Sequence, residues 1–370
     1  MGDSENYERG HMNSKNRILT DIPKYTLFRM LGYPRMLPLN LTVSVTYSCN
    51  SRCKTCNVWK KKVNEFSFDE FNMTFKKIGV QPYWFTISGG EPFLRKDIVE
   101  ICASAYDNCR PGIINIPTNG ILSDRIPGKV EEIIECCPDT QIIINLSLDG
   151  IEEKHDQIRC VKNNYEKTMK TYQALRQLDY PNFELGIHTV ISRFNVDEIP
   201  EIYKHFQTFQ PDSYITEIAE ERVELDTIGA GITPDLDDYS KTIDFLTDEL
   251  KKQDFSGVSK ITQSFRSQYY ELVKRTLKEK RQIIPCYAGF ASAQISPDGD
   301  VWTCCIRADP IGNLRDNEYD FKKVWLSEKA NTLRKSIKNK DCWCPLANAS
   351  YTNMLMNTKS LFNVAKNMIL

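Results

Sequence analysis

Residues 41–57 read LTVSVTYSCNSRCKTCN, an apolar run followed at once by three cysteines. Apolar and β-branched residues dominate positions 41–45, which is typical of a buried strand. Cys49, Cys53 and Cys56 then follow with the spacing C-x3-C-x2-C. Because a [4Fe–4S] cluster has four irons, three thiolate ligands leave one iron open to a small molecule. The stretch therefore predicts a cluster-binding loop directly after a buried strand.

This loop resembles the signature of the radical S-adenosylmethionine (SAM) superfamily. The resemblance implies that the open iron binds SAM through its amino and carboxylate groups, and that one electron splits SAM into methionine and a 5′-deoxyadenosyl radical. That radical abstracts a hydrogen atom from the substrate. The family usually places an aromatic residue before the third cysteine, where this chain has Thr55. The rival interpretation, a structural zinc site, favours paired C-x2-C units and four closed ligands.

The composition indicates a globular protein. The chain has 370 residues, of which 41% are hydrophobic, and a net charge of −1, which suits one large domain and a smaller one. No long basic block supports binding to nucleic acid or to an anionic membrane. No apolar stretch is long enough to be a transmembrane segment, and no signal peptide is visible. Thirteen cysteines without a secretion signal predict a cytoplasmic protein whose thiolates bind metal.

Apolar runs and helical patterns alternate between residues 40 and 220. The predicted strands span residues 41–45, 84–87, 113–116, 142–148, 183–190 and 213–218. The predicted helices span residues 68–78, 96–106, 129–137, 165–178 and 196–209. This alternation of six strands with five helices predicts an α/β protein with a parallel sheet. The family resemblance implies that residues 17–220 form a partial (β/α)6 TIM-like barrel, with its chemistry at the C-terminal ends of the strands.

The remaining segments are assigned from their composition. Residues 1–16 are polar and include GHM at positions 10–12, which we interpret as a cloning remnant or a disordered tail. Residues 221–285 predict charged amphipathic helices that link the domains or cap the barrel. Residues 286–348 predict a small α+β domain. Residues 349–370 predict one amphipathic helix, whose apolar face packs on its own domain or contacts a lipid-linked substrate or a membrane surface.

A glycine-rich motif, Gly89, Gly90, Glu91 and Pro92, ends the second predicted strand. Glycine has no Cβ, so the backbone can approach a ligand closely, and a neighbouring carboxylate can accept hydrogen bonds from an ammonium group. The motif matches the Gly-Gly-Glu-Pro of the radical SAM family. This resemblance implies that the four residues hold the amino group of SAM.

Two further strand ends carry candidate SAM contacts. Asn119 follows the third strand, where its amide can bond ribose hydroxyls or cap a helix. After the fourth strand, NLSLDG and HDQIR resemble family segments in which a serine and an arginine hold the SAM carboxylate. The resemblance assigns these roles to Ser147 and Arg159, because a guanidinium grips a carboxylate through two parallel bonds. Where the family usually has glycine after this arginine, the chain has Cys160, for which a buried thiol is predicted.

Candidate catalytic residues lie near the ends of the last two strands. His188 and Glu217 are predicted to point into the cavity, where each can touch the substrate, accept a proton or support other side chains. The charged stretch that follows, Glu220 to Arg222, is predicted to be a solvated turn.

A second group of cysteines follows residue 285, comprising Cys286, Cys304, Cys342 and Cys344. The pattern resembles the SPASM/twitch extension of radical SAM enzymes, which implies that these four thiolates hold an auxiliary [4Fe–4S] cluster. The shorter, one-cluster twitch form fits the number of cysteines. Cys305 is an alternative ligand, because the usual gap between the last two cysteines is two residues. A zinc ribbon is the rival interpretation.

These motifs predict an oxidoreductase-like radical SAM enzyme that uses SAM and two [4Fe–4S] clusters, with an external one-electron reductant such as flavodoxin or ferredoxin. A closed auxiliary cluster suits the uptake of an electron after hydrogen abstraction from a small, sugar-like or lipid-linked substrate. Only about 40 residues precede the first predicted strand, which disfavours the alternative of a peptide maturase with an added peptide-binding domain. An iron–sulfur electron carrier or a structural zinc protein is the alternative from another class, and neither needs a SAM pocket.

Overall fold

The computed structural model describes residues 14–252 and 257–369, and its centre is a nine-stranded sheet. The strands are β1 (Asn40–Thr46), β2 (Trp84–Gly89), β3 (Ile113–Thr118), β4 (Gln141–Ser147), β5 (Phe183–Ile191), β6 (Ser213–Ile218), β7 (Ser292–Ile295), β8 (Asp300–Trp302) and β9 (Pro310–Asn313). Their order across the sheet is β6-β5-β4-β3-β2-β1-β7-β8-β9. Strands β1 to β6 are parallel and adjacent in chain order. The predicted α/β fold and all six predicted strands are confirmed.

Helices connect these strands. They are α1 (Ser14–Leu31), α2 (Phe68–Ile78), α3 (Ile98–Cys109), α4 (Ile126–Cys136), α5 (Glu152–Arg159), α6 (Asn164–Leu175), α7 (Ile199–Gln207), α8 (Leu236–Lys252), α9 (Gly257–Glu279), α10 (Phe321–Trp325), α11 (Glu328–Lys338), α12 (Ala347–Leu355) and α13 (Thr358–Ile369). Ser67 and Glu70 begin α2 with a reciprocal capping box, which satisfies two backbone N–H groups. The buried face of α2, including Phe71 and Phe75, joins the apolar residues of β1 and β2 in the main core.

The C-terminal hairpin continues the barrel sheet. β7 pairs in parallel with β1, where Asn40 lies opposite Ser292, and β8 and β9 then follow as antiparallel neighbours. β9 was not predicted, because its four residues include Pro310 and Gly312, which are depleted in strands. One sheet therefore carries both cysteine-containing regions, the first after β1 and the second beside β8.

The helices differ from the sequence prediction at both ends of the chain. Helix α1 was not predicted, and its first residues overlap the predicted tail; the rest of that tail, residues 1–13, lies outside the described residues. The single C-terminal helix expected from the sequence is divided into α12 and α13. The Asn357 side chain accepts a hydrogen bond from the Ser360 N–H and thereby caps the N-terminus of α13. Ser327 caps α11 in the same way and separates it from α10. Within the described residues, no helix is both long and apolar enough to span a bilayer.

Candidate active site

The first three cysteines lie in the loop after β1 and line one open cavity at the C-terminal edge of the parallel strands. The cavity encloses about 1010 Å³ including its mouth. Backbone bonds fix the loop against α5, since the Arg52 N–H donates to the Arg159 carbonyl at 3.1 Å and the Lys54 N–H donates to the Ile158 carbonyl at 2.9 Å. The loop that holds Cys49, Cys53 and Cys56 is therefore positioned by a second part of the barrel.

Burial raises the pKa of each thiol in this loop. The pKa of Cys49 rises to about 11 and that of Cys56 to about 12, and the pKa of Cys53 is raised as well. Arg159 opposes this effect at Cys53, because its Nη1 lies 3.6 Å from the sulfur. A buried thiolate needs a cation to stabilise it, and iron coordination supplies such a charge.

Gly89 and Gly90 lie against the start of the cysteine loop. Gly89 has φ +130°, and a Cβ added to it would lie 2.1 Å from the Thr46 carbonyl oxygen. A Cβ on Gly90 would lie 2.1 Å from the Ser48 carbonyl oxygen. Both glycines also line the cavity. Only glycine therefore lets the end of β2 lie this close to the chain segment that leads into Cys49.

Glu91 lies behind the cavity wall, where it is 1% exposed. Its carboxylate accepts bonds from the Thr118 hydroxyl at 2.7 Å and from the Asn119 N–H at 2.8 Å. Burial raises its pKa to about 6, while these donors oppose the rise. Pro92 is also buried, and neither residue is among those that line the cavity. The carboxylate thus joins the end of β2 to the end of β3, and its predicted contact with SAM stays a prediction.

The other predicted SAM contacts line the cavity with the cysteines. The Asn119 side chain donates to the Asn50 side chain at 2.7 Å and lies 3.9 Å from the Cys49 sulfur. Ser147 is the last residue of β4. Arg159 pairs with Asp149 at 2.8 Å, and its Nε is buried without a partner in the described structure. This guanidinium therefore retains a free donor at the cavity wall. Asp149 was not predicted as a site residue, because no sequence pattern indicates that it pairs with Arg159.

Cys160 explains the departure from the family pattern. It ends α5 in the left-handed region, at φ 53° and ψ 40°, which glycine adopts without a steric cost. Its side chain is exposed, so the prediction of a buried thiol was wrong. The left-handed turn directs the Cys160 side chain away from the core that α5 covers.

His188 and Glu217 point into the cavity as predicted, and they contact each other. His188 Nε2 lies 3.8 Å from Glu217 Oε1, and both residues line the cavity on the side of β5 and β6. The two side chains are partly exposed, at 18% and 30%. At this distance the two side chains form no direct hydrogen bond, and His188 Nε2 has no other hydrogen-bond partner in the described structure.

The predicted solvated turn after β6 is wrong for Glu220 and Arg222, which both line the cavity. Glu220 is 6% exposed, and its Oε2 has no hydrogen-bond partner in the described structure. Burial raises its pKa to about 8, although the Arg222 charge opposes the rise. Glu221 binds two backbone N–H groups of the same loop, at Gly229 and Gly231. The loop therefore folds back over the cavity, which composition alone does not reveal.

The second group of cysteines surrounds a separate cavity of about 610 Å³. All four predicted ligands line it, namely Cys286, Cys304, Cys342 and Cys344. Cys305 is not among the lining residues; it is buried beside Leu346 and Ala349, and its sulfur accepts a bond from Arg222 Nη1 at 3.4 Å. The structure thus brings together the set expected from the sequence and directs the alternative thiol towards the barrel cavity.

The donor sets fit iron–sulfur clusters better than a single zinc ion. At a Zn–S distance of about 2.3 Å, four sulfurs around one ion lie about 3.8 Å apart. Among residues 14–252 and 257–369, no three His, Cys, Asp or Glu side chains converge closely enough to hold one metal ion. A four-iron cluster holds its thiolates farther apart than one zinc ion does. N–H groups of Asn119 and Arg159 also lie near two of the sulfurs.

Family models match both regions. The radical SAM superfamily model matches residues 43–206, and the model of the SPASM iron–sulfur cluster-binding domain matches residues 286–345. The chain therefore belongs to the radical SAM superfamily and carries a SPASM domain, so its cofactors are SAM and iron–sulfur clusters.

Curated relatives differ in their reactions. AdoMet-dependent heme synthase of Methanosarcina barkeri is 23% identical over 84% of this chain and 86% of its own length. Fe-coproporphyrin III synthase of the same organism is 29% identical, over 43% of this chain and 39% of the relative. PqqA peptide cyclase of Bradyrhizobium diazoefficiens is 28% identical, over 45% of this chain and 42% of the relative. The match thus spans less than half the length of the last two relatives.

Solved structures share the fold. Streptococcus suis SuiB bound to precursor peptide SuiA is 16% identical, with a TM-score of 0.58 over 86% of this chain and 70% of that chain. The enzyme anSMEcpe with bound AdoMet and a Cp18Cys peptide is 16% identical, with a TM-score of 0.56 over 90% of this chain and 97% of that chain. At these identities the likeness shows the architecture of the barrel and its C-terminal domain.

Proposed function

We propose that this chain cleaves SAM reductively, abstracts a hydrogen atom from a small polar substrate, and transfers the remaining electron to the auxiliary site. When bound and reduced, a cluster on Cys49, Cys53 and Cys56 supplies the electron that releases the 5′-deoxyadenosyl radical. The net change is a two-electron oxidation of the substrate or the formation of a new bond.

The residues at the ends of β2 to β4 are proposed to bind SAM. The unpartnered Nε of Arg159 can donate to the SAM carboxylate, while its pairing with Asp149 fixes the plane of the guanidinium. Ser147 and Asn119 supply hydroxyl and amide groups at the same wall. Gly89 and Gly90 line the same wall and are proposed to lie against the SAM amino group.

The side of the cavity formed by β5 and β6 is proposed to bind the substrate and accept its proton. His188, Glu217 and Glu220 line this side. The unpartnered oxygen of Glu220 makes it a third candidate base, beside the two predicted from the sequence. Loss of a proton from the substrate radical makes it a stronger one-electron reductant, which favours transfer to the auxiliary site.

The single observation that carries the proposal is the position of Arg222. Its side chain lines the barrel cavity, and its Nη1 contacts Cys305, the neighbour in sequence of the auxiliary ligand Cys304. One side chain therefore reaches from the substrate side of the barrel cavity to the residue that follows the auxiliary ligand Cys304 in sequence. This proximity supports an auxiliary site that accepts an electron from the substrate.

A peptide is the second candidate substrate. PqqA peptide cyclase and the peptide-bound structures of SuiB and anSMEcpe share the fold or part of the sequence. Peptide modification by the same radical would use the same SAM site, so the two candidates differ only in what the open cavity admits. Anaerobic incubation with SAM and dithionite, scored for 5′-deoxyadenosine over panels of small molecules and peptides, distinguishes them.

The test of the electron-transfer step uses Cys304→Ala. This variant should retain SAM cleavage without substrate and lose substrate oxidation, because only the electron acceptor is removed. Cys102→Ala, at a buried thiol on α3 outside both cavities, is the matched control and should retain both. Normal product formation by Cys304→Ala would refute the proposed role of the auxiliary site.

A further inference from the structure

The C-terminal end of α1 presents an exposed apolar surface. Leu27, Met30, Leu31 and Tyr33, which we call the α1 face, are 43%, 58%, 73% and 75% exposed. They account for four of the ten large apolar side chains that are exposed in the described structure, all within seven residues. Such a concentration marks a contact surface more often than scattered exposed residues do.

The α1 face adjoins the auxiliary site. Arg29 Nε donates to the backbone carbonyl of Cys286 at 2.9 Å, and Cys286 lines the auxiliary cavity. Lys338 Nζ, at the end of α11, donates to the Met30 carbonyl at 2.9 Å. Because consecutive Cα atoms are about 3.8 Å apart, Met30 and Leu31 lie within one helical turn of the residue that contacts Cys286.

The rim of the α1 face is basic. Residues 27–35 contain two arginines and no acidic residue. Within the described residues, Arg29, Arg35 and Lys338 form no ion pair with a carboxylate. Burial lowers the pKa of Arg334, and the nearby charge of Arg35 lowers it further. These unpaired charges favour an acidic partner.

We propose that the α1 face and its basic rim bind an acidic one-electron carrier protein, with a flavin or iron–sulfur centre, that exchanges electrons with the auxiliary site. The proposal rests on the proposed function, in which that site gains one electron per turnover. The oxidised carrier takes up this electron, so the auxiliary site returns to its starting state and the carrier is reduced by one electron. An apolar centre with a charged rim suits a weak, transient complex, and the opposite charges increase the rate of association.

The contact with Cys286 favours a redox protein over the other occupants of such a surface. A membrane would use the same apolar and basic groups, but it has no need to lie beside a cluster ligand. A second copy of this chain would bring like charges together, because both copies carry the same basic rim. Residues 1–13 of the chain contain one arginine and three acidic residues, so this segment is a competing acidic occupant of the α1 face. The test therefore includes its removal.

The test measures binding of the reconstituted chain to a purified acidic flavodoxin and an acidic [2Fe–2S] ferredoxin by calorimetry, at low and at physiological salt. The double variant Arg35→Glu/Lys338→Glu should raise Kd at least tenfold at low salt and flatten its salt dependence. The double variant Leu31→Ser/Tyr33→Ser should raise Kd about tenfold at both salt concentrations. Met73→Ser and Lys76→Glu, on the exposed surface of α2, are the matched controls and should change neither value.

Iron content and SAM cleavage with dithionite separate this proposal from the proposed function, and both should stay at wild-type levels in every variant. Lack of binding of both carriers to the wild type, or wild-type Kd values in both double variants, would overturn the proposal. The proposal would also be overturned if the double variants keep wild-type carrier binding but lose binding to phosphatidylglycerol vesicles. The same holds if they keep wild-type carrier binding but change from dimer to monomer. Tighter carrier binding after removal of residues 1–13 would assign the α1 face to that segment instead.

Discussion

Replacing Gly90 by alanine should displace the cysteine loop. The new Cβ would lie 2.1 Å from the Ser48 carbonyl oxygen, 2.7 Å from the Ser48 carbonyl carbon and 2.8 Å from the Tyr47 carbonyl oxygen. All three are backbone atoms, so the rotation of a side chain cannot relieve the clash. Restoring an ordinary contact above 3 Å requires a shift of about 1 Å. Overpacking of this kind costs about 1–3 kcal/mol, and a 1 Å misplacement of reacting groups can reduce a rate about 100-fold.

The assay combines three measurements on Gly90→Ala: the thermal unfolding midpoint, iron bound after anaerobic reconstitution, and the rate of 5′-deoxyadenosine formation. We expect a lower midpoint and SAM cleavage reduced by about two orders of magnitude. Gly128→Ala is the matched control, because its Cβ would meet nothing within 4 Å and Gly128 lies inside α4, where alanine is the better helix former. Wild-type iron content and SAM cleavage in Gly90→Ala would refute the close approach of β2 to the cysteine loop.

Two further predictions concern buried charges. Arg159→Ala removes the guanidinium proposed to hold the SAM carboxylate and leaves the buried Asp149 without its ion-pair partner, so the free energy of SAM binding measured by calorimetry should weaken by a few kcal/mol. Unchanged affinity would remove Arg159 from the SAM site. Glu220→Gln tests the effect of burial, which raises the pKa of Glu220 from 4.5 to about 8. The folded chain then binds a proton that the unfolded chain releases, so wild-type stability should fall as pH rises from about 4.5 to about 8. Urea midpoints of Glu220→Gln relative to wild type should show this difference growing with pH, and a constant difference would contradict the raised pKa.

The barrel was predictable because local signals and global fold agree. Strands β1 to β6 begin and end within a few residues of the predicted strands. Parallel strands are buried on both faces, so each is a continuous apolar run in the sequence. The capping box at Ser67 fixed the start of α2 in the same way. The spacing of Cys49, Cys53 and Cys56 predicted the first group of thiols, because all three lie in one short loop. The second group was predicted from the family resemblance, since Cys342 and Cys344 follow the hairpin only after a helix.

The missed features depend on contacts between distant parts of the chain. Glu220 and Arg222 look like surface residues in sequence, and only the loop that folds back towards the cavity buries Glu220 and places Arg222 on the cavity wall. The pairing of β7 with β1 joins the C-terminal hairpin to the barrel sheet, and no local pattern encodes it. Helix α1 has a weak periodicity and contains Pro23, so it is stabilised by packing rather than by its own sequence.

Iron and inorganic sulfide per chain, measured after anaerobic reconstitution, test the central claim most directly. With one [4Fe–4S] cluster in each cavity, the wild type should bind about eight irons and about eight sulfides. Cys53→Ala and Cys304→Ala should each bind about four, and only Cys304→Ala should still cleave SAM. A protein that binds zinc without sulfide, or a Cys53→Ala variant that keeps both its iron and its SAM cleavage, would contradict the account.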